Sequence, residues 1–305
     1  MKQMRLGTSS LMVSNIALGC MRMAKLSTEE AKHTITAALD AGIQFFDHAD
    51  IYGQGESERI FAAAAKELGI RREEIILQSK CGIRKGCFDF SKEHILHAVD
   101  GILKRLDTSY LDVLLLHRPD TLFEPAEVAE TFDMLYQAGK VKHFGVSNQN
   151  PGQIALLKKY CKQDLVANQL QFSIMHTGMI DAGINVNMKH AHAVDYDGGI
   201  LEYSRLHDMT IQAWSPFQYG FFEGAFLDHE RFPELNAVID EIAKKYQVKN
   251  TAIAVSWILT HPAQMQVVIG TMNPTRIADI AAASKLRLTR EEWYAIYLAA
   301  GNKLP

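Results

Sequence analysis

Hydrophobic and polar positions follow two rhythms along this chain. Short apolar runs, IALGC, QFFDHA, EIILQSK, LDVLLLH, HFGVSN, ANQLQF, MTIQAWSP and QMQVVIGT, recur between longer stretches with a helical period. Runs that read as continuously apolar predict strands covered on both faces, hence parallel pairing with helices outside. Eight such strands predict an α/β fold, a single (β/α)8 TIM barrel over residues 1–305, with an N-terminal β-hairpin across 4–14 and a C-terminal helix in LTREEWYAIYLAAGNKLP. Helix starts carry local signatures. Ser27 with Glu30 and Thr289 with Glu292 fit capping boxes, and Asn150, Pro151 and Gln153 fit cap, first-turn proline and reciprocal partner. Two segments break the rhythm, 174–195 after the sixth strand and 217–231 after the seventh. Both follow strand C-termini, where a barrel carries its binding loops, so both are expected to set specificity. No linker, charge block or 20- to 50-residue repeat divides the chain.

Composition narrows the partners. A hydrophobic fraction of 48% with 22% charged residues fits a folded chain with a sizeable core. A net charge of −3, with Lys and Arg spread evenly, offers no stripe for a phosphate backbone and argues against nucleic acid. The N-terminus lacks the apolar core of a signal peptide, and no run approaches the roughly 20 apolar residues of a membrane span. A cytoplasmic protein without membrane contact is expected, with a monomer preferred. Cys20, Cys81, Cys87 and Cys161 form no C-x-x-C pair or zinc spacing and read as reduced thiols.

The candidate chemistry lies at strand ends. Asp47 and Tyr52 in QFFDHADIYGQGESE, Lys80 in EIILQSKCG and His117 in LDVLLLHRPD read as four separate strand ends opening on one barrel mouth. A Tyr, a Lys, an Asp and a His form a proton-transfer set. A free phenol, with a pKa of about 10, needs a neighbouring cation to favour phenolate. Lys80 supplies it, and Asp47 holds the lysine charged against desolvation. His117 is a second hydrogen-bond partner for a substrate oxygen. Each residue also has a structural reading: Tyr52 as a rim aromatic, Lys80 and Asp47 as a bracing ion pair, His117 as a strand cap. His48 alternates to the face opposite Asp47 and is expected to pack under a helix. His176, His190 and His192 share one loop but lack an acidic strand-end ligand, so no metal site is expected.

The ordered motifs DHADIYGQGESE, LQSKCG, LLLHRPD, FGVSNQN, NQLQFS and AWSPF resemble those of the aldo-keto reductases, and the likeness runs essentially from end to end. The ending VVIGTMNPTRIADIAAASKLRLTREEWYAI resembles the bacterial branch that lacks a lysine before the phosphate-binding loop. The resemblance implies an NADP(H)-dependent oxidoreductase, with NAD(H) left open, acting on a small carbonyl substrate. It makes Tyr52 the general acid, with Lys80 and Asp47 tuning it and His117 orienting the substrate. It also implies that Ser147, Asn148 and Gln169 hold the nicotinamide carboxamide. Trp214, ahead of Ser215 and Pro216, stands where many relatives stack a tyrosine on that ring. Gly19 and Met21, with Cys20, are expected to line the mouth. Gly270, Thr271, Met272, Asn273 and Arg276 would form the adenine end, Arg276 pairing with a 2′-phosphate while N–H groups of the preceding loop approach the same anion. Gly53 and Gly55 form no dinucleotide fingerprint, and no G-x-G-x-x-G follows a strand. A nicotinamide-sensing module without turnover is the alternative, and a barrel metal hydrolase built on His117 and the loop histidines is a third reading.

Overall fold

The computed structural model describes residues 1–305. A hairpin of β1 (Gln3–Arg5) and β2 (Met12–Ser14) precedes β3 (Ile16–Gly19), β4 (Phe45–Asp47) and β5 (Ile76–Cys81). A small hairpin follows, β6 (Ile83–Arg84) with β7 (Cys87–Phe88). Next come β8 (Leu111–Leu116), β9 (Val141–Ser147), β10 (Leu165–Gln171) and β11 (Thr210–Trp214), a second small hairpin of β12 (Gln218–Tyr219) and β13 (Gly224–Ala225), and β14 (Gln266–Ile269). The helices are α1 (Thr28–Asp40), α2 (Glu56–Glu67), α3 (Lys92–Arg105), α4 (Pro125–Gln137), α5 (Pro151–Lys158), α6 (Gly178–Ile184), α7 (Ile200–Leu206), α8 (Pro233–Tyr246), α9 (Asn250–Thr260), α10 (Pro274–Ala281) and α11 (Arg290–Ala299). None is long and apolar enough to cross a membrane.

Eight parallel strands close in the order β3-β4-β5-β8-β9-β10-β11-β14, with β14 returning to β3 through the Val267 and Ile16 register. This is the (β/α)8 barrel expected from the apolar runs, and each of the eight runs overlaps its strand. The three predicted capping boxes form: Ser27 with Glu30, Asn150 with Gln153 and Thr289 with Glu292 each exchange both hydrogen bonds.

The barrel interior divides into two levels. At the N-terminal end, Ala17, Phe45, Ile76, Val113, Leu115, Val166 and Val268 pack with Met4, Leu6 and Val13 of the hairpin, which plugs the bottom. Above them register brings polar groups to one height: Gly19 pairs with Asp47, Asp47 with Gln78, Gln169 with Gln212 and Gln212 with Gln266. The larger core lies between strands and helices, where alternate strand residues such as Leu18, Phe46, Leu114 and Phe144 meet the apolar helix faces.

The C-terminal helix seals the outer wall. Trp293 of α11 stacks on Trp257 of α9 with ring centroids 4.7 Å apart, and each indole N–H donates to the other's backbone carbonyl. Tyr297 Oη donates to Asp181 in α6 at 2.7 Å. Segment 174–195 is thereby tied to the outer helices, with Ile174, Met179 and Ile180 buried in the core.

The bottom plug is sterically exacting. Gly7 has φ +54°, and a Cβ there would overlap the carbonyl oxygen of Val166. Its N–H donates to Thr210 Oγ1 at 2.8 Å. Gly7→Ala combines left-handed strain with a backbone clash, so a loss of about 2–4 kcal/mol is expected. A urea midpoint unchanged from wild type would show that the plug yields freely.

Candidate active site

The C-terminal ends of the strands open on a cavity of about 1530 Å³. A site for one small ligand is roughly 300–1,000 Å³, so this cavity has room for an extended molecule beside a second one. All eight strands contribute to it or to the turns above it. Every residue expected at the mouth lines it except Cys20, Lys80, Met272 and Asn273.

Asp47, Tyr52, Lys80 and His117 come together, from three adjacent strands rather than four. Asp47 and Tyr52 share β4 and the turn after it, Lys80 lies on β5, and His117 follows β8. Tyr52 opens a turn in which Gly53, Gln54 and Gly55 all have positive φ. A Cβ on Gly53 would meet Ala24, and one on Gly55 would meet Arg105, so the two glycines serve this turn. Arg105 in turn donates to buried Glu58 at 2.6 Å, and Ser79 Oγ donates to the same carboxylate at 2.9 Å. This buried network fastens α2 and α3 to β5 behind Tyr52.

Lys80 is fully buried and Asp47 is 2% exposed. Lys80 Nζ donates to both carboxylate oxygens at 2.8 and 2.7 Å, to the His48 carbonyl at 2.9 Å and to Tyr52 Oη at 3.2 Å. Asp47 also accepts from the Gln78 and Gln169 amides at 2.6 and 3.2 Å. Burial pulls the ammonium toward neutrality, but the Asp47 charge, aided by Tyr52, raises the Lys80 pKa above its ordinary value. An ammonium only donates, so Tyr52 Oη is an acceptor here and its own hydrogen is free.

The balance at Tyr52 differs from the sequence reading, which stressed the pull of Lys80 toward phenolate. Burial dominates and raises the phenol pKa, with Lys80 as the largest opposing influence. The ring of His117 lies 6.1 Å from that of Tyr52, nearly perpendicular, and its buried Nδ1 has no hydrogen-bond partner. Burial, then Lys80 and Arg118, hold its pKa well below the usual histidine range, so the imidazole is neutral.

Beyond β8 the wall is amide, hydroxyl and indole. Asn148 Nδ2 donates to Ser147 Oγ at 2.7 Å, and Trp214 Nε1 donates to Asn148 Oδ1 at 3.3 Å. Gln169 is fixed by Asp47 and Gln212. Asn148 and Ser215 hold φ of 56° and 53°. Left-handed backbone outside glycine costs about 1–3 kcal/mol and gathers at ligand clamps. Phe222 stacks on Trp214 at 5.9 Å. At the far end, Gly270, Thr271 and exposed Arg276 border the cavity, and the Arg276 side chain makes no hydrogen bond or ion pair. These groups fit a dinucleotide: fixed amides and an indole at one end, an unpaired guanidinium at the other.

Several expectations are corrected. Asn273 does not line the cavity. It caps α10, its Oδ1 accepting from Arg276 N–H, while its own N–H donates to Thr271 Oγ1. One loop N–H expected to meet an anion, that of Asn273, is therefore already used. Cys20 is buried in the wall, because its side chain turns toward the helices rather than the mouth. Of the two loops expected to set specificity, only 217–231 reaches the cavity, through Phe221, Phe222 and Leu227 among others. Segment 174–195 is held away by Tyr297 and the outer core. His48, as expected, packs under a helix, edge-on against Phe61 of α2, and burial with Lys80 nearby pushes its pKa down to about 3. The Cys81 thiol is buried and pushed up, far from a reactive thiolate. His176, His190 and His192 are exposed, and no three His, Cys, Asp or Glu side chains converge as ligands.

Sequence reading also missed cavity residues. Arg22, whose Nη1 donates to the Gly270 carbonyl at 2.9 Å, stands on the rim near the position where a lysine is missing. Arg118 lines the wall beside His117, and Ile83 with Phe88 brings in the first small hairpin. Strand-end position was the available signal for Arg22 and Arg118. The hairpin gave none.

Comparison with known proteins agrees with this architecture. The chain is 34% identical to the 6-dehydroglucose reductase of Novosphingobium aromaticivorans, over 99% of this chain and 96% of that one. It is 32% identical to the 6-dehydroglucose reductase of Agrobacterium fabrum, over 97% of each. A probable voltage-gated potassium channel subunit beta of Oryza sativa is 26% identical, over 92% of this chain and 90% of that one. Among solved structures, a thermostable aldo-keto reductase in complex with the inhibitor epalrestat superimposes with a TM-score of 0.78 at 22% identity, covering 98% of this chain and 100% of that one, a likeness of fold. The aldo/keto reductase family model matches residues 15–298, and with the closed barrel and the full-length relatives this means that the chain belongs to the aldo/keto reductase family of oxidoreductases.

Proposed function

We propose that this protein, one barrel unit over residues 1–305, is an NADP(H)-dependent reductase of aldehyde, ketone or quinone carbonyls in which Tyr52 delivers the proton. The observation that carries the reading is the single Lys80 Nζ bound to both Asp47 oxygens and to Tyr52 Oη. That geometry leaves the phenol hydrogen free to reach a carbonyl oxygen in the cavity. As charge develops on that oxygen, Tyr52 donates to it and Lys80, kept charged by Asp47, stabilises the phenolate that remains. His117, neutral, orients the same oxygen. When bound, the nicotinamide dinucleotide supplies the hydride that reaches the carbonyl carbon. Ser147, Asn148 and Gln169 would hold its carboxamide and Trp214 would pack on its ring, fixing which face looks toward Tyr52. Arg276 would pair with the 2′-phosphate, which favours NADPH over NADH.

A nicotinamide-sensing module is the alternative, and its support is the 26% likeness to channel beta subunits. The more similar relatives carry reductase names, and all four proton-transfer positions are filled here.

Tyr52→Phe is expected to lower kcat for a reactive dicarbonyl by roughly 10² to 10⁴ with little change in NADPH affinity, since only the proton donor is lost. Steady-state loss of NADPH absorbance, with binding measured separately, checks this. Equal turnover in wild type and variant would remove Tyr52 from the mechanism. For the pH profile, the Tyr52 pKa is raised above 10.0 and that of His117 lies well below 6.5. Phenol and imidazole are therefore protonated and neutral, respectively, across the interval between. Reduction is expected to run flat there and to fall only on the alkaline side, as the phenol ionises. A limb with its midpoint near 6.5 would contradict a neutral His117. Arg276→Ala should weaken NADPH roughly 10- to 100-fold and NADH much less, because only NADPH carries the partner for a charge-assisted bond. Equal weakening of both, by titration, would make Arg276 structural.

A further inference from the structure

Arg118 carries a charge that nothing in the protein uses. It follows His117 at the end of β8, is partly buried and lines the cavity. Two other partly buried arginines are matched to carboxylates: Arg72 donates to Asp112 at 2.6 Å and Arg105 to Glu58 at 2.6 Å. The Arg118 guanidinium has neither an ion pair nor a hydrogen bond. Its contacts are aromatic, with Cζ 5.8 Å from the Trp214 ring centroid and 5.9 Å from that of Phe221. Neighbouring carboxylates are already engaged. Asp120 accepts from the N–H groups of Phe90 and Leu122, and Asp47 from Lys80, Gln78 and Gln169. Burial lowers the Arg118 pKa, and Tyr52 is the one group that acts to raise it. A desolvated cation without a partner is costly, and a site that keeps one is arranged to receive an anion.

Topology decides which ligand brings that anion. In the closed ring of eight strands β8 stands four places from β14, directly across the barrel. Gly270, Thr271 and Arg276 follow β14, so the 2′-phosphate assigned to Arg276 lies on the far side from Arg118. His117 follows β8 itself and Tyr52 follows β4, two places away, while Phe221 reaches Arg118 from the loop after β11.

Resting on the reductase reading, we propose that Arg118 is a specificity-determining residue that pairs with a carboxylate on the substrate, and that the preferred substrates are carbonyl compounds carrying a carboxylate across a short apolar spacer. The guanidinium fork takes both carboxylate oxygens, and the aromatic wall takes the spacer.

The test compares kcat/KM for 4-carboxybenzaldehyde and for its methyl ester, with NADPH, in wild type, Arg118→Gln and Arg118→Lys. Wild type is expected to prefer the acid by roughly tenfold or more, the size of one charge-assisted pair. The acid-to-ester ratio should collapse in Arg118→Gln and be partly kept in Arg118→Lys. No preference in wild type, or a ratio that Arg118→Gln leaves unchanged while both substrates slow together, overturns the proposal. Should neither aldehyde turn over, the reductase reading fails, and calorimetric binding of benzoate against benzamide to the NADPH-loaded protein decides Arg118 on its own. Benzoate selectivity that disappears in Arg118→Gln supports the pairing. Absent or unaltered selectivity overturns it.

Discussion

The buried pair of Lys80 and Asp47 is the constraint on which the rest of the site depends. Two charges removed from water at the top of a barrel core are tolerable only together, and removing one leaves the other uncompensated at a cost of roughly 3–5 kcal/mol. Their surroundings make the pairing complete. Asp47 accepts from the lysine and two glutamine amides, and Lys80 uses its remaining capacity on the His48 carbonyl and Tyr52. The glutamine row continues from Gln78 through Gln212 to Gln266, which donates to the Ser14 carbonyl. A polar layer therefore crosses the barrel, anchored at one end by the ion pair and at the other by the last residue of the hairpin plug.

That layer explains the two-level interior. Below it the barrel is filled by aliphatic and aromatic side chains and closed by Met4, Leu6 and Val13. Above it the strands end, and the wall becomes a cavity. The ladder registers fix the height at which one becomes the other, because a slip of one residue would turn Asp47, Gln78 and Gln212 outward into the helix layer. The groups proposed for proton chemistry then lie on β4, β5 and β8, and those proposed to hold a dinucleotide on β9, β10, β11, β14 and β3.

What the sequence disclosed and what it hid divide along local and distant causes. Strands, capping boxes and the strand-end positions of Asp47, Lys80 and His117 were legible, since each depends on a few neighbouring residues and a period. Tyr52 was legible through the turn that its glycines allow. Asn273 was misplaced because a cap and a ligand use the same amide, and only the Arg276 N–H bond separates them. Segment 174–195 was misjudged because its partner, Tyr297, lies more than 100 residues away. Cys20 follows a strand but turns to its outer side, which apolar continuity alone does not reveal. Arg118 and Arg22 went unread because an arginine after a strand is ordinary until its missing or unexpected partner is known.

The cations of the cavity differ in how their charge is answered, and the difference separates tuning from recognition. Lys80 is fully satisfied by the protein, so its charge acts on Tyr52 with no ligand present. Arg276 is unpaired but exposed, and water screens it at little cost. Arg118 is unpaired and partly buried, in contact with aromatic rings instead of carboxylates. Its charge is the least compensated of the three, so an anion beside it gains most from the low local dielectric. On the proposed function, that cation stands beside His117, where the carbonyl would be positioned, so substrate charge would count there, and the aromatic loop after β11 would supply the apolar remainder.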